Sequence, residues 1–295
     1  MSQPKRKPPW LKRRLPASGQ TQAVSRLLND LHLHTVCQEA LCPNQGECYG
    51  RGTATFLLLG PNCSRNCAFC AVGYGPLPPD PEEPDRTAEA LARMGLKFAV
   101  LTMVTRDDLE DGGADHVART VTAIKKHCHE TLVEVLISDF QGKFSSLESV
   151  LLARPEVLNH NVETVPRLYP RVRPQADYGR SLQVLKRAGE PAAGGTRPAT
   201  KSGLMLGLGE SRDEVLQVFD DLRESGCQAL TLGQYLAPTS KHFPVARYLE
   251  PEEFDQLAAE AEKRGFAACA AGPFVRSSYQ ADEIYQAIGS RKKEK

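Results

Sequence analysis

The sequence predicts an α/β fold, a partial (β/α)6 barrel of the TIM type with an extension at each end. Three observations predict it. Six near-continuous apolar, β-rich runs recur between residues 53 and 238, the pattern of parallel strands buried on both faces. Helical patterns lie between them, and such alternation argues for a parallel sheet with right-handed crossovers. The series stops at six units, short of a closed eight-strand barrel.

The strand runs are "TATFLLLG" (53–60), "KFAVLTMVT" (97–105), "TLVEVLISDF" (131–140), "EVLNHNVET" (156–164), "KSGLMLGLG" (201–209) and "QALTLGQYLAP" (228–238). The first helix, "DRTAEALARMG", opens with Asp85 and Thr87 as expected caps and stops at Gly95. "ADHVARTVTAIKKHC", "SLESVLLA", "DYGRSLQVLKRAG" and "SRDEVLQVFDDLRESG" continue the series. In the last helix, "PEEFDQLAAEAEKRG", Glu252 and Glu253 sit in the first turn after Pro251, where the helix dipole favours acids. Three parts result: residues 1–52 before the barrel, 53–265 as the barrel, and 266–295 after it.

In such barrels the site lies at the C-terminal ends of the strands. The informative polar residues fall there: "TRDD" after the second strand, "NVET" ending the fourth and "GQYLAP" ending the sixth. "CSRNCAFC" (63–70) follows the first.

A 41% hydrophobic and 25% charged composition is that of a soluble globular protein. The net charge of +1 asks for no nucleic acid. No run approaches the roughly 18 apolar residues of a membrane span. No apolar segment follows the basic start, so no secretory signal is expected. The nine cysteines are then expected to be cytoplasmic metal ligands or catalytic groups rather than disulfides. Locally, "MSQPKRKPPWLKRR" (1–14) is basic. It reads either as a solvated tail or as an arm for an acidic protein partner.

The cysteines form two triplets. Cys63, Cys67 and Cys70 have C-x3-C-x2-C spacing. Four thiolates would close a zinc or iron–sulfur site; three leave one metal position open for a small ligand. A zinc site completed by a distant histidine is the plainer alternative, but the loop leaves the first strand at the catalytic face. Cys37, Cys42 and Cys48 have C-x4-C-x5-C spacing, which alone could be a zinc knuckle. Cys128, Cys227 and Cys269 read as ordinary thiols. The histidines of "HLHTVC" and "KKHCHE" stand two residues apart, a spacing that on a helix points to different faces.

The first triplet, on its loop and with Phe69 before the last cysteine, resembles the radical S-adenosylmethionine (SAM) enzymes. Both triplets in this order, with the linking "YGRGTATFLLLGPN", resemble the lipoyl synthase family. The resemblance runs on through "PPWLKRRLP", "TRDDLEDGGADH" (105–116), "HNVETVPRLYPRVRP" (160–174), "TKSGLMLGLGE" (200–210), "LGQYLAPTSKHFPV" (232–245) and "GPFVRSSYQAD" (272–282). It departs at Met103, where the family more often has serine, and in the small-residue loop "AGEPAAGGT" (188–196), which reads as a surface insertion.

The resemblance implies a radical SAM barrel holding two 4Fe–4S clusters and SAM. Cys63, Cys67 and Cys70 would ligate the cluster that cleaves SAM to a 5′-deoxyadenosyl radical. Cys37, Cys42 and Cys48 would ligate an auxiliary cluster together with Ser278 of "RSSY", a hard, weak ligand for iron–sulfur that can leave when sulfur is taken. The radical would abstract hydrogen from an octanoyl chain on a carrier lysine, and two sulfurs would enter at carbons 6 and 8. Implied partners are octanoylated lipoyl domains of 2-oxoacid dehydrogenase complexes or glycine-cleavage H protein, a ferredoxin- or flavodoxin-type reductant, and an iron–sulfur carrier protein. No nucleic acid or membrane is implied.

For SAM itself the expected contacts are Thr102 and Thr105 at the methionine end, Asn161 and Glu163 for ribose or aminocarboxylate, and Lys201 and Gln234 at strand ends. Asn161 and Glu163 read equally as caps of the following turn. Gly203, Gly207 and Gly209 would admit the adenine or simply allow close packing. Other sulfur-inserting radical enzymes would lack "RSSY" and the upstream triplet. A zinc-binding adaptor or an electron carrier remains the alternative from another class, though six barrel units exceed what a carrier needs.

Overall fold

A computed structural model describes residues 7–12, 19–190 and 197–293, with side chains to residue 290. Most of the basic tail (1–14) and most of the small-residue loop (188–196) lie outside the described residues.

The strands, in chain order, are β1 (His34–Thr35), β2 (Thr55–Leu58), β3 (Asn62–Cys63), β4 (Gly73–Tyr74), β5 (Phe98–Met103), β6 (Leu132–Leu136), β7 (Val157–Asn159), β8 (Ala199–Leu206), β9 (Ala229–Gln234) and β10 (Ala268–Gly272). Eight form one sheet in the order β1-β2-β5-β6-β7-β8-β9-β10. β1 is antiparallel on β2, and every other pairing in this sheet is parallel. β3 and β4 make a small parallel ribbon beside it.

The helices are α1 (Gly19–Asp30), α2 (Val36–Glu39), α3 (Gln45–Gly50), α4 (Glu83–Met94), α5 (Ala114–His127), α6 (Phe144–Leu152), α7 (Tyr169–Val172), α8 (Tyr178–Gly189), α9 (Arg212–Glu224), α10 (Pro251–Lys263) and α11 (Ala281–Lys293). α1–α3 precede β2 and carry the upstream cysteines; α4, α5, α6, α8, α9 and α10 are the crossovers. No described helix is long and apolar enough to cross a membrane.

All six expected strand–helix units are present. The strand runs are near-continuously apolar because both faces are covered: every residue of β2, β7 and β9 is buried. α9 starts where Ser211 and Glu214 cap each other's backbone N–H groups.

Two expectations shift. α4 begins at Glu83, ahead of Asp85 and Thr87, so neither is its cap. Pro84 suits the first turn. The buried Glu83 carboxylate accepts from the Leu59 N–H at 2.8 Å and meets His116 Nε2 at 2.6 Å, while Thr87 is buried. The second difference is β10, which adds a seventh parallel strand beyond residue 265. Its sequence, Ala-Cys-Ala-Ala-Gly, has poor strand propensity, and the open edge of β9 supplies its pairing.

α11 packs Ile284 and Ile288 against Val157, Ala199, Ala229 and Ala268. Those four open β7, β8, β9 and β10. α11 thus covers the N-terminal end of the barrel, and the opposite end is left for chemistry.

Candidate active site at the C-terminal ends of the strands

A cavity of about 440 Å³ opens there, within the range of small-molecule sites. Cys37, Cys42, Cys48, Cys63, Cys67, Cys70, Thr102, Thr105, Asn161, Glu163, Gln234 and Ser278 all line it. The two triplets, apart in sequence, face one space.

The 63–70 loop is pinned from several directions. The Thr105 carbonyl accepts from the Ser64 N–H and from Ser64 Oγ, both at 2.9 Å. The Arg65 N–H points to Cys63 Sγ at 3.3 Å. The Arg65 side chain, 5% exposed, donates to Asp107 at 2.6 and 3.0 Å and to Asp139 at 2.6 Å. Burial alone would raise the Asp139 carboxyl; Arg65 outweighs it and holds the group at about 2. The Ala68 N–H donates to the Val172 carbonyl, and His242 Nε2 lies 3.1 Å from the Cys70 carbonyl. The sequence reading gave no role to Arg65 or Asp139, although Arg65 stands inside the motif; Asp107 belongs to the "TRDD" stretch expected at this face.

Beside this loop, Glu163 adopts a left-handed backbone, φ 65°, a strained state that clusters at functional positions. Its peptide bridges to β8: Glu163 N–H donates to Gly203, and Met205 N–H donates to Glu163. Burial raises the Glu163 carboxyl, opposed by the Arg173 charge and the Asn161 amide. Asn161 Nδ2 donates to Glu163 Oε1 at 3.1 Å, while its buried Oδ1 has no partner among the described residues. Arg173, also on the cavity wall, donates to the Asn161 and Val162 carbonyls at 2.9 and 3.2 Å. A Cβ at Gly203 would stand 2.9 Å from Asn161 Oδ1, so close packing accounts for that glycine.

Two expected contacts are placed otherwise. Lys201 is fully buried and outside the cavity lining. Its Nζ lies 2.9 and 3.0 Å from the two Glu134 oxygens. Two residues before Gly203 on the same strand, it faces the barrel interior one layer too deep. Gln234 reaches the cavity wall, but its amide is engaged. Nε2 donates to the Leu206, Tyr235 and Arg247 carbonyls, and Oε1 accepts from the Leu249 N–H.

The upstream triplet runs from α2 through a turn to α3, with the Cys42 N–H on the Cys37 carbonyl. The C-terminal "RSSY" segment lies against it. Asn44 Nδ2 donates to the Phe274 carbonyl at 2.7 Å, and Tyr279 OH donates to Glu47 Oε1 at 3.0 Å. Both Ser277 and Ser278 line the cavity. Of the remaining thiols, Cys227 is buried in the core, Cys269 lies in β10 and Cys128 caps α5. His34 stands in β1 with Nδ1 3.2 Å from Glu39, not on a helix.

The donor set fits iron–sulfur clusters. Burial pushes the Cys37 and Cys70 thiols up to about 12 and Cys67 to about 11. Buried thiols of this kind become thiolates when a metal displaces the proton. Among the described residues, no three His, Cys, Asp or Glu side chains are gathered closely enough for one metal ion.

Comparison with known proteins agrees. A family model described as Radical SAM superfamily matches residues 57–222. The lipoyl synthase of Chlorobium phaeovibrioides is 53% identical over 278 residues, spanning 94% of this chain and 96% of its own. That of Desulfotalea psychrophila is 51% identical over 281 residues, spanning 95% and 93%. Solved structures share the fold at low identity. Methylornithine synthase gives a TM-score of 0.53 at 12% identity over 95% of this chain and 89% of that one. The hydrogenase maturase HydG gives 0.55 at 16% over 92% and 67%. With two cysteine triplets in one cavity and half its residues shared along nearly the whole length, the chain belongs to the lipoyl synthase family of the radical SAM superfamily.

Proposed function

We propose that this chain inserts two sulfur atoms at carbons 6 and 8 of a protein-bound octanoyl-lysine, with an auxiliary 4Fe–4S cluster as donor. The convergence of both cysteine triplets and "RSSY" on one cavity carries the reading. When bound, the clusters and SAM supply radical hydrogen abstraction and sulfide.

The protein's part is placement and exclusion of water. Cys63, Cys67 and Cys70 would hold the cluster that binds SAM. Asn161 Oδ1, the Glu163 carboxylate and the Arg173 guanidinium offer an acceptor, an anion and a cation on one wall, a set complementary to a zwitterion. Thr102 and Thr105 flank it, and Gln234 acts by holding the 206 and 247 segments. Leu57, Met103, Leu136 and Met205 give the cavity its apolar surface, suited to an alkyl chain. Cys37, Cys42, Cys48 and Ser278 would hold the auxiliary cluster, the serine oxygen being its hard, weak donor.

Within this reading the acyl carrier is a lipoyl domain or glycine-cleavage H protein. A ferredoxin- or flavodoxin-type protein delivers electrons, an iron–sulfur carrier restores the auxiliary site, and the compartment is cytoplasmic. The test is anaerobic incubation of the reconstituted protein with SAM, reductant and an octanoyl-lysine peptide. Mass spectrometry should find a peptide with two added sulfurs. SAM cleavage with no sulfur-bearing peptide would reject the assignment.

A further inference from the structure

The "RSSY" segment reaches the cysteine loop from the far end of the chain, and named side chains tie the two together. Asn44 and Glu47 both lie between Cys42 and Cys48. Each grips the C-terminal segment by a side-chain hydrogen bond, one to the Phe274 carbonyl at 2.7 Å and one from Tyr279 OH at 3.0 Å. Asn44 is 2% exposed, so its amide is committed to that contact. The bonds sit on either side of Ser277 and Ser278.

A third contact fixes the segment from below. A Cβ at Gly233 of β9 would collide with the Val275 carbonyl oxygen, so the backbone of residue 275 rests directly on the strand. The position matters because Cys48 and Ser278 line two spaces at once: the main cavity and a second hollow of about 310 Å³ reaching toward α11. Ser278 and Tyr279 form part of the partition between them.

We infer that Asn44 and Glu47 are positioning residues that clasp residues 274–279 onto the auxiliary cysteines and so hold Ser278 at the auxiliary site. The inference rests on the reading of Ser278 as a ligand. Neither residue is itself a ligand. Each acts through the segment, and the clasp loosens when either bond is lost.

Hydrogen exchange on the full-length, cluster-loaded protein tests it, with release of auxiliary iron to a chelator as the second readout. Tyr279→Phe and Asn44→Ala should each speed exchange across 273–280 about tenfold, the effect of one hydrogen bond of this kind. Exchange across 63–70 should stay as in the wild type. Both variants should release auxiliary iron faster. Glu47→Ala should behave like Tyr279→Phe, whereas Glu47→Gln keeps an acceptor and should remain near wild type. Unchanged exchange in both Tyr279→Phe and Asn44→Ala would overturn the clasp. Faster exchange with wild-type iron release, while Ser278→Ala loses its iron quickly, would overturn the positioning role. Should Ser278→Ala itself keep its iron like the wild type, the serine reading falls, and the positioning role with it.

Discussion

Lys201→Met separates a structural lysine from a SAM contact. Lys201 and Glu134 side chains are 0% and 1% exposed, and Nζ is 2.9 and 3.0 Å from the two carboxylate oxygens. Asn159 Nδ2 adds one donor at 2.9 Å. Removing the cation leaves a buried carboxylate with that amide alone, a change that costs about 3–5 kcal/mol. At about 2.1 cal/mol/K per residue of unfolding entropy, 295 residues give roughly 0.6 kcal/mol/K, so the melting temperature should fall by about 5–8 °C. The double variant Lys201→Met/Glu134→Leu removes both charges and should recover most of the loss. The assay is thermal unfolding of the single and double variants, with equilibrium SAM binding to each reconstituted protein. A Lys201→Met protein that melts like the wild type yet binds SAM tenfold more weakly would refute this placement.

Other outcomes follow from the same geometry. Cys63→Ala, Cys67→Ala and Cys70→Ala should abolish 5′-deoxyadenosine formation, read by chromatography; normal yield in any of them would break the assignment. Cys37→Ala, Cys42→Ala and Cys48→Ala should still cleave SAM but add no sulfur to the peptide. His160 is buried between the Ile137 carbonyl and Ser181 Oγ, and burial, helped by the Arg173 charge, pushes it down to about 4. The unfolded chain takes up this proton near 6.5 and the folded chain does not, so stability should decline by up to about 3 kcal/mol as pH falls from 6.5 to 4. Denaturant titrations of wild type and His160→Gln across that window should differ in slope; parallel curves would count against it. Gly233→Ala must displace residue 275, so auxiliary-cluster content should drop while the cysteine loop at 63–70 keeps its cluster, as iron and sulfide analysis would show.

The six strand–helix units were legible because a parallel strand buried on both faces leaves a near-continuous apolar run, as in β5 and β9. The triplets were legible because metal ligation fixes spacing locally. The reading of Ser278 rests on the resemblance alone: nothing in "RSSY" announces a ligand, and Cys48 lies some 230 residues away. Depth along a barrel strand was not legible. Lys201 and Gly203 share a face of β8, yet one closes an ion pair in the interior and the other borders the cavity. Gln234 shows the same limit, because the loops that consume its amide come from 206 and 247. Arg65 was in plain sight, but its meaning depends on Asp107 and Asp139 from two other loops. β10 was hidden because its alanines pair only on account of an edge that β9 presents.

The two halves of the site are held by separate sets of contacts. The 63–70 loop is tied to the 105–107 loop, to Asp139, to Val172 and to His242, so its freedom is removed from four directions. Such a loop can return to one geometry after every turnover, which a group that repeatedly binds and cleaves a cofactor requires. The "RSSY" segment is joined to the upstream triplet by the Asn44 and Tyr279 side-chain bonds and rests on β9 through the Val275 carbonyl. It lies between β10 and α11, so it meets the upstream triplet without using the bonds that tie the 63–70 loop. On the proposed reading of Ser278 as a hard, weak ligand, a change at that oxygen leaves those ties in place.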